Sequence, residues 1–170
     1  MENKLQVYNS LKGEKETAFL IDQNIFERHE IESRCHVAIE RYNKTIEIEA
    51  ITTLEMVTNQ IMPVIESQLK SFYDVLDDIQ GKTLKTAYMD RVTDLETVFT
   101  NILASTKTLR FEVEKVQVMG DEEQLPAWCK KIFPLMKELR SSCDRAELLV
   151  SDQLWPLPKY REMLFTIGLS

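Results

Sequence analysis

From Arg28 onward the apolar residues keep one rhythm. Ile31, Cys35, Ala38, Tyr42, Ile46, Ala50, Leu54, Val57, Ile61, Ile65, Leu69, Phe72, Leu76 and Ile79 follow one another in steps of three or four, the spacing that lines up side chains on one face of an α-helix. The pattern predicts a single helix from about Arg28 to Gln80. At the usual rise per residue it would be roughly 75 to 80 Å long, so other long helices or a larger body must lie beside it. Inside this run Thr45 to Ile51 alternates polar and apolar as a half-buried strand would. The helix is preferred because no Gly, Pro or turn cluster bounds the alternation and the helical steps run through it in phase. Pro63 removes a backbone donor and crowds the preceding turn, so a kink is expected there and not an end, since the stripe resumes at Ile65.

The rest of the chain divides around this run. Leu5, Tyr8 and Leu11 suggest a short helix ending before Gly13, and Glu14 to Ile21 a second, closed by Asp22-Gln23-Asn24. Gly81 stands where a left-handed cap residue is wanted, and Thr83 is placed to cap the helix that follows. That helix shows Leu84, Tyr88, Val92, Leu95, Phe99, Ile102, Thr106, Leu109, Val113 and Val116, and ends near Gly120. Asp121 with Gln124 and Leu125-Pro126 marks a third start, favoured by acidic residues in the first turn. This helix presents Trp128, Ile132, Leu135, Leu139, Cys143, Ala146 and Leu149, with a kink expected at Pro134. Leu154-Trp155-Pro156-Leu157-Pro158 cannot be regular helix, because each proline pushes its predecessor towards an extended conformation. Lys159 to Phe165 has room for a last turn or two of helix.

The architecture expected is all-α. It is an elongated antiparallel bundle of three long helices over residues 28–151, with short N-terminal helices in 1–27 and a Pro-rich C-terminal segment in 152–170. With 4 Gly and 5 Pro in 170 residues, the chain lacks the turn residues that many short strands need. No repeat or flexible linker divides it, so it is expected to fold as a single domain.

Charge and chemistry narrow the function classes. A net charge of −7 without a cluster of Lys and Arg among aromatics argues against nucleic acid as a partner. Cys35, Cys129 and Cys143 are odd in number and have no CxxC or CxxH spacing. The N-terminus has no signal-peptide core and no apolar run is long enough to span a bilayer, so a cytoplasmic protein with no membrane partner is expected. Asn43-Lys44-Thr45 matches a glycosylation sequon but falls in mid-helix.

His29 and His36, seven residues apart on a helix, stand about 10 Å from each other, too far to share an ion. Glu32, His36 and Glu40 follow at one-turn spacing, which suits a solvated polar face better than a metal site, and neither His has the Glu three residues before it that carboxylate-bridged bundles use. Cys129 and Cys143 fall in or beside the third apolar stripe, where a small buried hydrophobe is the ordinary role. Neither a GxxxxGK[ST] nor a GxGxxG motif occurs. Catalytic, cofactor-binding and metal-binding residues are therefore not assigned.

Two segments carry a family resemblance. Glu32-Ser33-Arg34, Ile39-Glu40-Arg41-Tyr42-Asn43-Lys44 and Ile48-Glu49-Ala50-Ile51-Thr52, continuing through Met56 to Ile61-Met62-Pro63, form the first. Leu154-Trp155-Pro156-Leu157-Pro158-Lys159-Tyr160-Arg161 with Leu164-Phe165 forms the second. Both resemble the C-terminal helical domain of type III glutamine synthetases, over about Phe19 to Phe165. Cys35 and His36 depart from that pattern, which has an aromatic and an acidic residue there. The resemblance implies a parent enzyme that ligates ammonia to glutamate with ATP and magnesium or manganese, in large double-ring oligomers. The catalytic glutamates, the metal-binding histidine and the Gly-rich segment of that enzyme have no counterpart here, so no cofactor is expected in this chain.

What it implies for the chain is a non-catalytic domain acting in subunit contacts, with the glutamine synthetase catalytic domains or a second copy as partners. Trp155, Pro156, Pro158, Tyr160 and Phe165 are the interface candidates. They would pin the chain's end onto the bundle or a neighbour, or equally cap this chain's own helix ends. The alternative is a stand-alone helical adaptor, although the first stripe steps closer to 3.6 than to the 3.5 of a left-handed coiled coil. An autonomous helical enzyme would need a titratable pair that the sequence does not offer.

Overall fold

The computed structural model describes Ser10, residues 13–159 and residues 162–163. Among these the chain forms helices α1 (Glu14–Asp22), α2 (Arg28–Met56), α3 (Met62–Asp78), α4 (Lys82–Gln117), α5 (Asp121–Ala127) and α6 (Phe133–Leu149). A π-helical turn, Val57–Ile61, joins α2 to α3, and another, Trp128–Ile132, joins α5 to α6. No strand occurs among the described residues; the fold is an all-helical bundle. The short helix expected over Glu2 to Leu11 lies, apart from Ser10, outside them.

The stripe that predicted the first long helix is the one that is buried. Ile31, Cys35, Tyr42, Ile46, Ala50, Leu54, Val57, Ile61, Ile65, Phe72 and Leu76 all lie in the core. Within the strand-like stretch, Ile46 and Ala50 point inward while Ile48 points out, the four-residue repeat of a helix and not the alternation of a strand. Two positions differ by one residue from the expected stripe. Ile39 is buried where Ala38 was expected, and Gln68 where Leu69 was.

The prolines leave a specific trace. Pro63 and Pro134 each follow a π turn by two residues, and the carbonyls their rings would crowd, those of Asn59 and Lys130, lie inside those turns. The wide turns close with Met62 N–H on the Val57 carbonyl and Phe133 N–H on that of Trp128. The helix thus widens to a five-residue repeat in the turn that each proline ring would crowd, and the helical path continues.

The connection between α3 and α4 corrects two expectations. α3 ends because Ile79 turns extended (φ −75°, ψ 118°) while its N–H still reaches the Val75 carbonyl at 3.2 Å. No described glycine has a positive φ, so Gly81 is not a left-handed cap. Its carbonyl instead accepts from Lys85 N–H at 2.9 Å, which makes Gly81 the N-cap of α4 and leaves Thr83 already inside the helix. A Cβ at Gly81 would meet only Leu84 Cβ, at 4.0 Å. Gly81→Ser is therefore expected to stabilise the chain by about 1 kcal/mol, from a capping hydroxyl and a less flexible unfolded chain. Urea denaturation checks it, and a lower midpoint would contradict the cap assignment.

The chain falls into two compact units, Met1–Leu54 with Ser105–Leu139, and Glu55–Ala104 with Arg140–Ser170. The first is organised around Trp128, Ile132, Leu109, Leu139 and Val116, all with almost no exposure. Polar ties cross this core: the Tyr42 hydroxyl meets Cys129 Sγ at 3.4 Å, and Asn43 Nδ2 donates to the Asp121 carbonyl at 2.9 Å. Asn43 is only 2% exposed, so the sequon is sealed in the folded protein. In the second unit Ile65, Leu95, Val92, Val98, Ile102 and Ala146 form the core. Phe72 and Tyr88 pack edge to face at 5.6 Å with the Arg91 guanidinium over both rings, and the Tyr73 hydroxyl donates to the Glu96 carboxylate.

Two carboxylates of the first unit make its stability sensitive to acid. Glu112 receives Lys131 at 2.6 Å and Lys115 at 3.2 Å, and these hydrogen bonds hold its carboxyl below the usual range. Glu47 is lowered likewise by Lys44 at 2.8 Å, with Gln117 Nε2 donating to it at 2.7 Å. Because the folded values are depressed, the contribution is complete above the unfolded carboxylate value of about 4.3 and is lost as pH falls through the folded values. The urea midpoint should drop as pH is lowered below about 4, and less steeply in Glu112→Gln than in the parent chain. An equal slope in both would remove Glu112 from the account.

Candidate interaction surface

The segment after α6 is where the sequence placed its interface candidates, and its backbone is tied down at both ends. Val150 is buried and its N–H still bonds the Ala146 carbonyl. The next N–H, of Ser151, donates at 2.9 Å to Oε1 of Gln68, which is itself only 7% exposed. The Ser151 carbonyl then accepts from the N–H groups of Leu154 and Trp155, at 3.0 and 3.1 Å, closing a turn. At the far end Lys159 Nζ pairs with the Asp152 carboxylate, and Lys159 N–H donates to Glu162 Oε2 at 3.0 Å. Residues 155–159 are not helical, as the two prolines require.

The structure brings three of the candidates together on this short segment. Trp155 is half-buried, as is Leu157, while Pro156, Pro158 and Leu154 are exposed. The segment therefore turns one aromatic ring inward and offers solvent a surface of prolines without backbone donors. Tyr160 and Phe165 lie outside the described residues. Sequence reasoning missed Gln68, the residue that anchors the segment. Its signal was a polar side chain three residues after Ile65 and four before Phe72, a core position by spacing.

The other chemistry-bearing groups are placed as follows. Cys35, Cys129 and Cys143 are buried free thiols, and burial, helped by the charge of Asp144, pushes the Cys143 thiol up to about 11. Such a thiol stays protonated at neutral pH and is a poor nucleophile. His29 is exposed and pairs with Glu27 at 3.2 Å. His36 lies 3.8 Å from the Asp121 carboxylate and, with Glu32, Cys35 and Arg28, lines an open cleft of about 360 Å³ beside α1. Arg28 and Glu32 already pair there at 3.4 Å. No group of three His, Cys, Asp or Glu side chains among the described residues is arranged to hold a metal ion. Among the same residues no helix is long and apolar enough to cross a membrane.

The class defined by these observations is a helical bundle that displays apolar groups on a fixed surface segment. The family model described as the glutamine synthetase C-terminal domain matches residues 1–80, which contain the whole first motif. The chain is 27% identical over 169 residues to the type-3 glutamine synthetase of Dictyostelium discoideum, a match covering 94% of this chain and 23% of that protein. It is 26% identical over 157 residues to a glutamine synthetase of Bacteroides fragilis, covering 88% and 22% of the two. With a glutamine synthetase of Butyrivibrio fibrisolvens it shares 25% over 149 residues, covering 84% and 21%. The chain thus spans less than a quarter of the length of these relatives. The resemblance carried by the two motifs holds: this chain is similar to the C-terminal helical domain of type III glutamine synthetases.

Proposed function

We propose that the chain is a non-catalytic helical domain of a glutamine synthetase of the type III kind, serving contacts between subunits. The observation that supports this most is the alignment itself. Nearly the whole chain corresponds to less than a quarter of a type-3 glutamine synthetase, which makes it comparable to one accessory portion of that enzyme. In the parent reaction ammonia is ligated to glutamate at the expense of ATP. ATP and its magnesium or manganese ions would be held by the remaining portion, and this chain would contribute surface instead of reacting groups. Its partners are then the catalytic domains of the enzyme or a second copy of itself. The fixed segment of Trp155, Pro156 and Pro158 suits such a role, since ordering it on contact costs little entropy.

Two measurements test the reading. The 170-residue chain, supplied with glutamate, ammonium, ATP and magnesium or manganese, is expected to form no glutamine. Turnover that copurifies with the chain would overturn its non-catalytic role. Light scattering across a concentration series is expected to show association, and a strict monomer that also fails to bind the remainder of a type-3 glutamine synthetase would overturn the role in contacts.

A further inference from the structure

Helix α2 has a second face. Its core side carries Ile31, Cys35, Ile39, Ile46 and Ala50, all buried. On the opposite side Val37 is 58%, Ile48 63% and Ile51 37% exposed. Positions 37, 40, 44, 48 and 51 succeed each other in steps of three or four, so Val37, Glu40, Lys44, Ile48 and Ile51 form one line that looks away from the core. The central part of that line reads apolar, acidic, basic, apolar. Glu40 shows no salt bridge among the described residues; within its own chain its charge acts on Lys44, one turn away. Lys44 binds Glu47 at 2.8 Å, yet remains exposed with donors to spare.

We propose that this face of α2 docks a second copy of the chain, the two helices running antiparallel about a two-fold axis near residues 42 and 43. In that arrangement Val37 packs against the partner's Ile48 while Glu40 meets the partner's Lys44. Two-fold symmetry makes each contact twice. A parallel pairing would set Glu40 against Glu40 and Lys44 against Lys44, and the repulsion between like charges selects the antiparallel one. The contact covers a few helical turns of one face, well below a standard interface. It is therefore weak between free chains and gains strength where a larger assembly holds several copies together. The inference rests on the reading that the chain serves subunit contacts, and it names a surface for them in addition to the Trp155 segment.

Sedimentation velocity on the full chain tests it. Ile48→Glu, at an exposed position where the fold tolerates charge, is expected to weaken dimerisation about tenfold or more. Glu40→Lys and Lys44→Glu each place like charges opposite one another and are expected to be monomeric when alone. Mixed together, they restore both pairs and dimerise at least as well as the parent chain. This mixing result does not depend on Ile48→Glu remaining folded. Dimers that persist unchanged in all three variants, a mixture no more associated than its components, or a chain that stays monomeric throughout would each overturn the docking face. Glutamine formation by the chain would overturn the reading beneath it and leave the face standing.

Discussion

Replacing Trp128 with alanine is expected to cost about 3 to 5 kcal/mol, the largest single effect in the chain. Trp128 has no exposed surface and stands in the π turn that joins α5 to α6, in the unit that also buries Leu125, Ile132 and Leu139. Its indole N–H reaches Gln124 Oε1 at 3.4 Å, a long bond that adds little to what packing supplies. The loss is therefore chiefly of buried apolar area and of the void left behind, which the surrounding core fills only partly. Against a total stability of about 5 to 15 kcal/mol this is a large fraction, and the melting temperature should fall by roughly 10 °C. Circular dichroism during thermal and urea unfolding measures both. Trp155→Ala serves as the comparison, because Trp155 is only half-buried and should cost much less. A similar loss at both tryptophans would contradict the distinction between a core ring and a surface ring.

How much of this was legible in the sequence depends on which force set each feature. The buried line of α2 and α3 was legible almost to the residue, because hydrophobic burial and the 3.6-residue turn act together and leave a periodic record. Its two slips share a cause. At 38–39 and 68–69 two adjacent residues compete for the core, and preferring the apolar one fails where a buried polar group has a partner to satisfy, as Gln68 has. Leu84 was counted on the α4 stripe but is 60% exposed, since it lies in the first turn of its helix. The reversal at 79–81 was legible as a break, yet its mechanism was not. An extended isoleucine ends α3, and the glycine that drew attention caps the next helix with an ordinary φ. The π turns were visible only as prolines inside a continuing stripe. The segment from Leu154 to Pro158 was legible by composition, and the bond that fixes it was not, because Gln68 and Ser151 are distant in sequence and neither residue type announces the other.

That bond is where a small change should have a visible local result. Gln68→Leu keeps the buried volume and removes the acceptor, so Ser151 N–H loses its bond to the Gln68 side chain. The expected cost is about 1 to 2 kcal/mol, larger than for a surface substitution because Gln68 is buried where water replaces the lost acceptor poorly. The effect should be confined. The Ser151 carbonyl still closes its turn onto Leu154 and Trp155, and Lys159 still pairs with Asp152, so the segment keeps its shape but loses its tether to α3. Amide hydrogen exchange should therefore quicken over residues 150–155 while the α4 core around Leu95 and Ile102 stays protected. Trypsin should also cut sooner after Lys159. If exchange is unchanged there, the segment is held by Trp155 and Leu157 packing alone. If instead protection falls throughout the unit, Gln68 supports the core itself and not the segment's attachment to it.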